Sequence, residues 1–425
     1  MEALAIAAIA VFLIVFGLIS GRLQNSIITP PMVFVAFGML VSPRLFGLFE
    51  AEIESEWVHH LVEFTLVFVL FADATRIDLK LLRKEYHTPE RLLGIGLPLT
   101  IVLGALVAAW LFPQFSIWEA ALLAAILAPT DAALGQVVVS HPKMPVRIRQ
   151  SLNVESGLND GIALPVVLIF LALADTSGSA TSLEFWLTFT FQQILLGVLV
   201  GVGIAYLGSK LIYKAWHAGW VVEPFNKLAT FGLALLAWGG AELLGGNGFI
   251  AAFVAGMTVG NLTREICHSL LAFVETEGQL FVLLTFMIFG AVMFWPAFDH
   301  LTWQAVVYAV LSLTLIRMLP VCLSLLGKNT RLLKGSFFML GWFGPRGVAS
   351  ILFGLLALEA VNVPHHEEVF QVVMLTVLFS VFAHGMTAAP LAGWFSNYVQ
   401  KNAKEGMEEL KPGPDIPVRL PYHNK

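Results

Sequence analysis

Three short stretches place ionisable and oxygen-bearing side chains inside apolar runs: "APTD" at 128–131, "ESGLND" at 155–160 and "FGPRG" at 343–347. In the first, Asp131 follows Pro129 and Thr130 near the middle of its run. Proline cannot donate a helical hydrogen bond, so a break there leaves carbonyls without partners. Carboxylate, hydroxyl and carbonyl oxygens are hard ligands that replace the water around a small cation. The other reading of Asp131 is a structural carboxylate that caps a broken helix. In the second stretch, Ser156 and Asp160 are four residues apart and share one helical face. Glu155 and Asn159, also four apart, share the neighbouring face. The first strip suits cation binding and the second suits holding helices together. Capping or packing is the alternative for Asp160. Gly157 and Gly161 allow a helix or an ion to approach closely. In the third stretch Arg346 reads as the only basic residue centred in a late run. A buried guanidinium needs a carboxylate. Glu155 is the expected partner, since that pairing leaves Asp131 and Asp160 for the cation; the other reading has Arg346 binding an anion directly.

The elements that position these groups follow from composition. The chain has 425 residues, of which 58% are hydrophobic and 12% charged, with mean hydropathy +0.81. Soluble domains carry about 25% charge. With 33 Phe and 36 Gly, the chain reads as a polytopic membrane protein. The net charge of -5 comes with no basic stripe, so no nucleic-acid partner is expected. Cys267 and Cys322 offer neither zinc spacing nor a disulfide framework. The opening "MEALAIAAIAVFLIVFGLISG" has no basic leader, which argues for a first span over a cleaved signal peptide.

A bilayer core needs about 20 apolar residues per helix. Apolar runs lie near 3–20, 27–43, 57–75, 91–112, 118–139, 150–174, 186–209, 225–244, 248–263, 277–297, 301–326, 335–359 and 368–392, thirteen in all. The segment 264–276 reads as an interfacial helix or the end of the ninth run. Alternate loops carry the basic residues: Arg76, Lys80, Arg83, Lys84 and Arg91; Lys143, Arg147 and Arg149; Lys210, Lys214 and Lys227; Lys328, Arg331 and Lys334. The opposite loops are acidic or neutral apart from Arg44. With thirteen spans, this asymmetry puts the N-terminus outside and the tail, 398–425, in the cytoplasm. The tail is polar and contains proline, and reads as mostly disordered. An odd count also accommodates an inverted repeat, spans 1–6 and 8–13 joined by span 7. The fifth members would be spans 5 and 12, and both carry proline with polar residues in mid-run, at Pro129 and Pro345.

Other residues in the runs stay open. Asp73, near the inner end of span 3, either lines a funnel towards the site or pairs with Arg76. His384 in span 13 either titrates near neutral pH or packs by hydrogen bonding. Gly197 and Gly201 form a Gly-x-x-x-Gly that suits close packing, with a dimer seam as one use. No Walker motif, nucleotide fingerprint or His-Glu-x-x-His signature is present.

In this order and spacing, across almost the whole membrane region, the three stretches resemble the monovalent cation–proton antiporters of the sodium/proton exchanger type. The likeness is to their prokaryotic, electroneutral, NhaP-like branch. Electrogenic relatives carry a second acid where Asn159 stands. The resemblance implies an all-α polytopic fold of thirteen transmembrane helices, an inverted repeat with broken helices. It implies a membrane domain over 1–397, in which a core of about 91–174 and 301–392 moves in an elevator-like way. A dimerisation domain of about 1–75 and 186–297 would stand beside it in a homodimer, leaving 398–425 as tail. Asp131 and Asp160 would hold Na+, helped by Thr130 and Ser156. Asn159 would orient the site, Glu155 would pair with Arg346, and Asp73 would support. Relatives often carry proline where this chain has Ala132, and glutamate in the region of Asp73. No enzyme activity and no cofactor are expected, only transported Na+ and H+ in a cell membrane. The expected cycle is competition: Asp160 takes a proton or a sodium ion, with Asp131 as co-ligand, and only the loaded core crosses. A potassium–proton antiporter on the same residues, a cation channel and a non-transporting scaffold are the rivals.

Overall fold

The structure is a computed structural model of the chain. It describes residues 2–23, 26–48, 53, 55–75, 77, 79, 87–131, 134–139, 141, 144–176, 183–262, 267–299, 301–327, 332–404 and 406–411. Helices and connecting turns make up these residues, with no strand among them. In chain order they are α1 (Glu2–Leu23), α2 (Pro30–Val41), α3 (Glu56–Thr75), α4 (Thr88–Leu111), α5 (Ile117–Ile126), the single turn α6 (Gln136–Val139), α7 (Val146–Ala174) and α8 (Leu183–His217). There follow α9 (Glu223–Leu243), α10 (Gly248–Leu262), α11 (Cys267–Ile288), α12 (Trp303–Leu325), α13 (Lys334–Trp342), α14 (Val348–Glu359) and α15 (His366–Asn402). Eight helices are long and apolar enough to cross a bilayer, and five shorter apolar helices occupy the remaining expected runs. The outward faces are apolar as lipid requires: Val102, Leu106 and Trp110 form an exposed stripe at intervals of four along α4. The most apolar window of α1 has no buried residue at all.

The fifth and twelfth runs are broken, and both breaks fall where proline and glycine predicted them. The fifth run stops as a helix at Ile126 and passes through non-helical backbone to Asp131 before the turn of α6. The twelfth run is helical as α13, extended over 343–347, and helical again as α14. Backbone groups freed in hydrocarbon must find partners, and here the two breaks serve each other. Asp131 N–H donates to Pro345 O at 2.7 Å. Ser350 Oγ, on α14, donates to Ile126 O at 2.9 Å.

Four expectations are corrected. Gly197 and Gly201 do not form a free seam: a Cβ there would lie 2.7 Å from Asn247 O and 2.5 Å from Ala251 O, so the stripe is occupied by α10 of the same chain. Residues 267–276 belong to the start of α11, continuing into the tenth run, and are neither a separate interfacial helix nor the end of the ninth. The tail is ordered at its start, because α15 runs to Asn402 and the 3-10 turn Glu408–Leu410 docks on the helix ends. Glu409 is buried there and accepts from Leu333 N–H at 2.8 Å and from the Ser336 hydroxyl, while Glu408 meets Arg147 at 3.1 Å. Residues 412–425 lie outside the described residues, as do Arg76, Lys80, Arg83, Lys84, Lys143, Lys328 and Arg331 of the basic loops. The fourth correction concerns Glu155 and belongs to the site.

Candidate functional site

α7 carries four of the eight expected residues on adjoining faces, the break after α5 supplies Thr130 and Asp131, and Asp73 and Arg346 come from α3 and the broken twelfth run. Thr130 is buried, and its Oγ1 lies 3.0 Å from Ser156 Oγ. Asn159 Nδ2 donates to the same Thr130 Oγ1 at 2.7 Å. The structure therefore brings Thr130, Ser156 and Asn159 into one hydrogen-bonded cluster. Asn159 thus ties α7 to the broken fifth run and keeps the i, i+4 relation to Glu155. Its Oδ1 is buried and accepts no hydrogen bond among the described residues. Asp160 is buried one turn along α7 from Ser156. A little further, Pro165 lies inside α7 and cannot donate to the carbonyl four residues back, that of Gly161.

Asp131 is half-buried at the other side of the break. Its Oδ2 accepts from Val348 N–H at 2.9 Å, and its Oδ1 accepts from Leu134 N–H at 3.3 Å. The carboxylate thus sits on the first turn of α14, where the positive end of the helix dipole offsets part of its charge. Gly347 makes this approach possible, since a Cβ there would stand 1.9 Å from Asp131 Oδ2. Asp131 thus takes the capping role on the broken helix, with its carboxylate at the crossing. Asp73, on α3, approaches α7 at Gly157, where a Cβ would stand 3.7 Å from it.

The expected Glu155–Arg346 pair is not formed. Glu155 Oε1 meets Arg317 Nη1 at 2.6 Å, with both side chains buried. Arg317 comes from α12 and lies across Gly344, where a Cβ would be 2.4 Å from its Nε. The missing side chain at Gly344 gives Arg317 its path to Glu155. Arg346 instead donates to Gly344 O and, at 3.3 Å, to Ser312 O. Arg317 is the residue that sequence reasoning missed. It sits in the middle of the eleventh apolar run, in "LTLIRMLPV", and a check of every run for basic residues finds it.

Residues 7–394 match the family described as sodium/hydrogen exchanger, transmembrane. The chain belongs to the sodium/hydrogen exchanger family. Among curated relatives of this chain, the K(+)/H(+) antiporter NhaP2 of Shewanella oneidensis is 24% identical over 366 residues, covering 85% of this chain and 62% of the relative. The Na(+)/H(+) antiporter of Schizosaccharomyces pombe is 26% identical over 316 residues, covering 67% of this chain and 66% of the relative. The chain thus spans just under two thirds of the length of these relatives. A solved structure of the sodium proton antiporter MjNhaP1 from Methanocaldococcus jannaschii superimposes with TM-score 0.77 at 19% identity, covering 95% of this exchanger and all of that chain. The shared fold is therefore that of a multi-pass antiporter.

Proposed function

We propose that this exchanger carries Na+ or Li+ against H+ across the membrane, one for one, at a single site made by Asp160 and Asp131. The observation that carries the reading is the buried oxygen cluster of Thr130, Ser156 and Asn159, one helical turn from Asp160, with the Asn159 carbonyl oxygen unfilled. Thr130 and Ser156 supply neutral oxygen ligands and Asn159 orients them. Asp160 exchanges cation for proton, with Asp131 as co-ligand. Asp73 stands on the approach from α3.

Formal charge supports the stoichiometry. Glu155 and Arg317 neutralise each other. Arg346, whose guanidinium is held by carbonyls, adds one positive charge to set against Asp131 and Asp160. These five groups then sum to one net negative charge, which either Na+ or H+ cancels. A charged core faces a steep cost in crossing hydrocarbon, and a neutral one does not. Exchange follows from that rule, and equal charge on the two loaded forms makes it electroneutral.

In this reading the moving core comprises about 91–174 and 301–392, standing against a scaffold of about 1–75 and 186–297 in a homodimer. The N-terminus faces outward and the C-terminus lies in the cytoplasm of a cell with this protein in its plasma membrane. A second reading, potassium–proton exchange at the same residues, draws on the NhaP2 relative's name. Flux in sealed proteoliposomes separates them: a pH gradient is imposed, Na+, Li+ or K+ is added in turn, and internal pH is followed. Sodium- or lithium-driven pH change that Asp160→Asn abolishes supports the first reading. A response to potassium alone keeps the site and changes the cargo, and cation flux without proton movement points to a channel.

A further inference from the structure

One face of α15 holds the broken twelfth run in place, and the exchange chemistry above does not use it. Ser380, His384 and Thr387 recur at i, i+4 and i+7, a single helical stripe. Each addresses the break. Ser380 Oγ accepts from Arg346 N–H at 2.7 Å. His384 Nε2 lies 2.9 Å from Trp342 O, at the last residue of α13. Thr387 Oγ1 accepts from Trp342 Nε1–H at 3.0 Å. His384 Nδ1 and Ser380 Oγ are 3.1 Å apart and close the chain. Ser380 and His384 are both buried.

Trp342 O only accepts, so the tautomer that meets it carries its proton on Nε2 and donates there. Nδ1 faces both Ser380 Oγ and Ser380 O at 3.1 Å; in that tautomer it accepts from the hydroxyl, which itself accepts from Arg346 N–H. The backbone from Trp342 to Arg346 is thereby pinned at both ends to an uninterrupted helix of 37 residues. The next links lead to the ion: Pro345 O receives Asp131 N–H, and Val348 N–H holds the Asp131 carboxylate.

We propose that His384 and Ser380 are positioning residues for the cation site, acting through the crossover backbone on the placement of Asp131. This rests on the reading of Asp131 as a cation ligand. Their bonds go to the crossover backbone, so their effect is on affinity.

The test measures sodium-driven antiport in proteoliposomes for wild type, His384→Gln, His384→Leu, Ser380→Ala and each change combined with Asp131→Asn, with thermal stability recorded for each. In H384Q the side-chain amide replaces both functions of the ring: its N–H reaches for Trp342 O and its carbonyl accepts from Ser380, so this variant should keep the wild-type KM. H384L should raise KM for sodium about tenfold, the equivalent of about 1.4 kcal/mol, with the rate at saturation kept. S380A should shift KM in the same direction, and the double change H384L/S380A should cost less than the sum, because both act in one chain. In the Asp131→Asn background the KM effect of H384L should vanish. A folded H384L with wild-type KM and only a lowered thermal midpoint overturns the proposal and leaves a packing histidine. Should H384L not fold, S380A decides alone: an unshifted KM there overturns it. Absence of any coupled cation and proton flux in the wild type would instead reject the exchange reading itself.

Discussion

Removing one partner of the Glu155–Arg317 pair should be among the costliest single changes in this exchanger. The two charges are 2.6 Å apart, and the side chains are only 3% and 1% exposed. Arg317→Met strands Glu155, whose second oxygen accepts no other hydrogen bond among the described residues. Glu155→Gln strands Arg317, whose remaining polar contact is a long 3.4 Å approach to Leu340 O. Breaking a buried pair from one side costs about 3–5 kcal/mol, against about 0.2–1 for an exposed one. At about 1.4 kcal/mol per decade, each single change should shift the folding equilibrium by two to four decades. The double change E155Q/R317M removes both charges and should recover much of that loss. The assay is a double-mutant cycle from reversible unfolding in mixed micelles, run once for Glu155 with Arg317 and once for Glu155 with Arg346. Coupling should exceed about 2 kcal/mol in the first cycle and stay below about 1 in the second, where the charges do not meet. Larger coupling to Arg346, or single changes costing under about 1 kcal/mol, would refute the pairing.

Three further outcomes follow from the same geometry. Asn159→Asp adds a negative charge to the core that one cation cannot cancel, so sodium flux should become sensitive to a valinomycin-set potential; voltage-insensitive flux would count against the neutrality rule. Gly347→Ala puts a methyl group where Asp131 Oδ2 lies, displacing a charge-assisted hydrogen bond worth about 1.5–3 kcal/mol; the sodium KM should rise about tenfold or more in the flux assay. Gly201→Ala overpacks the contact with α10 inside the protomer. It should cost about 1–3 kcal/mol in thermal stability and leave the monomer–dimer ratio in native mass spectrometry unchanged.

The membrane runs and their two breaks were legible because their causes are local. About twenty apolar residues make a span wherever they occur, and Pro129, Pro345 and Gly347 interrupt a helix by their own backbone chemistry. Helical spacing likewise set Ser156 above Asp160 without reference to any other segment. Side-chain partners were less legible, because they depend on which helices become neighbours. Glu155 has two buried arginines within the late runs. Which one it takes is decided by the path that Gly344 leaves open for Arg317, a packing detail with no sequence period. Asn159 shows the same limit: its spacing from Glu155 is helical, yet its hydrogen bond goes to Thr130 on another run. Gly197 and Gly201 announced a close contact but not whose, and α10 took it. The polarity of the tail hid one buried carboxylate, Glu409, whose Oε1 takes two donors at the start of α13.

Competition between proton and cation for one site is tested most directly by sodium binding at equilibrium. Calorimetry on the purified exchanger in detergent, repeated across a pH series with Asp160→Asn as control, gives the apparent Kd at each pH. A single competing proton predicts that Kd rises about tenfold for each unit of acidification once the site protonates, with proton release on sodium addition and neither signal in D160N. A sodium Kd that does not change with pH, or binding that survives unchanged in D160N, would contradict a shared site at Asp160.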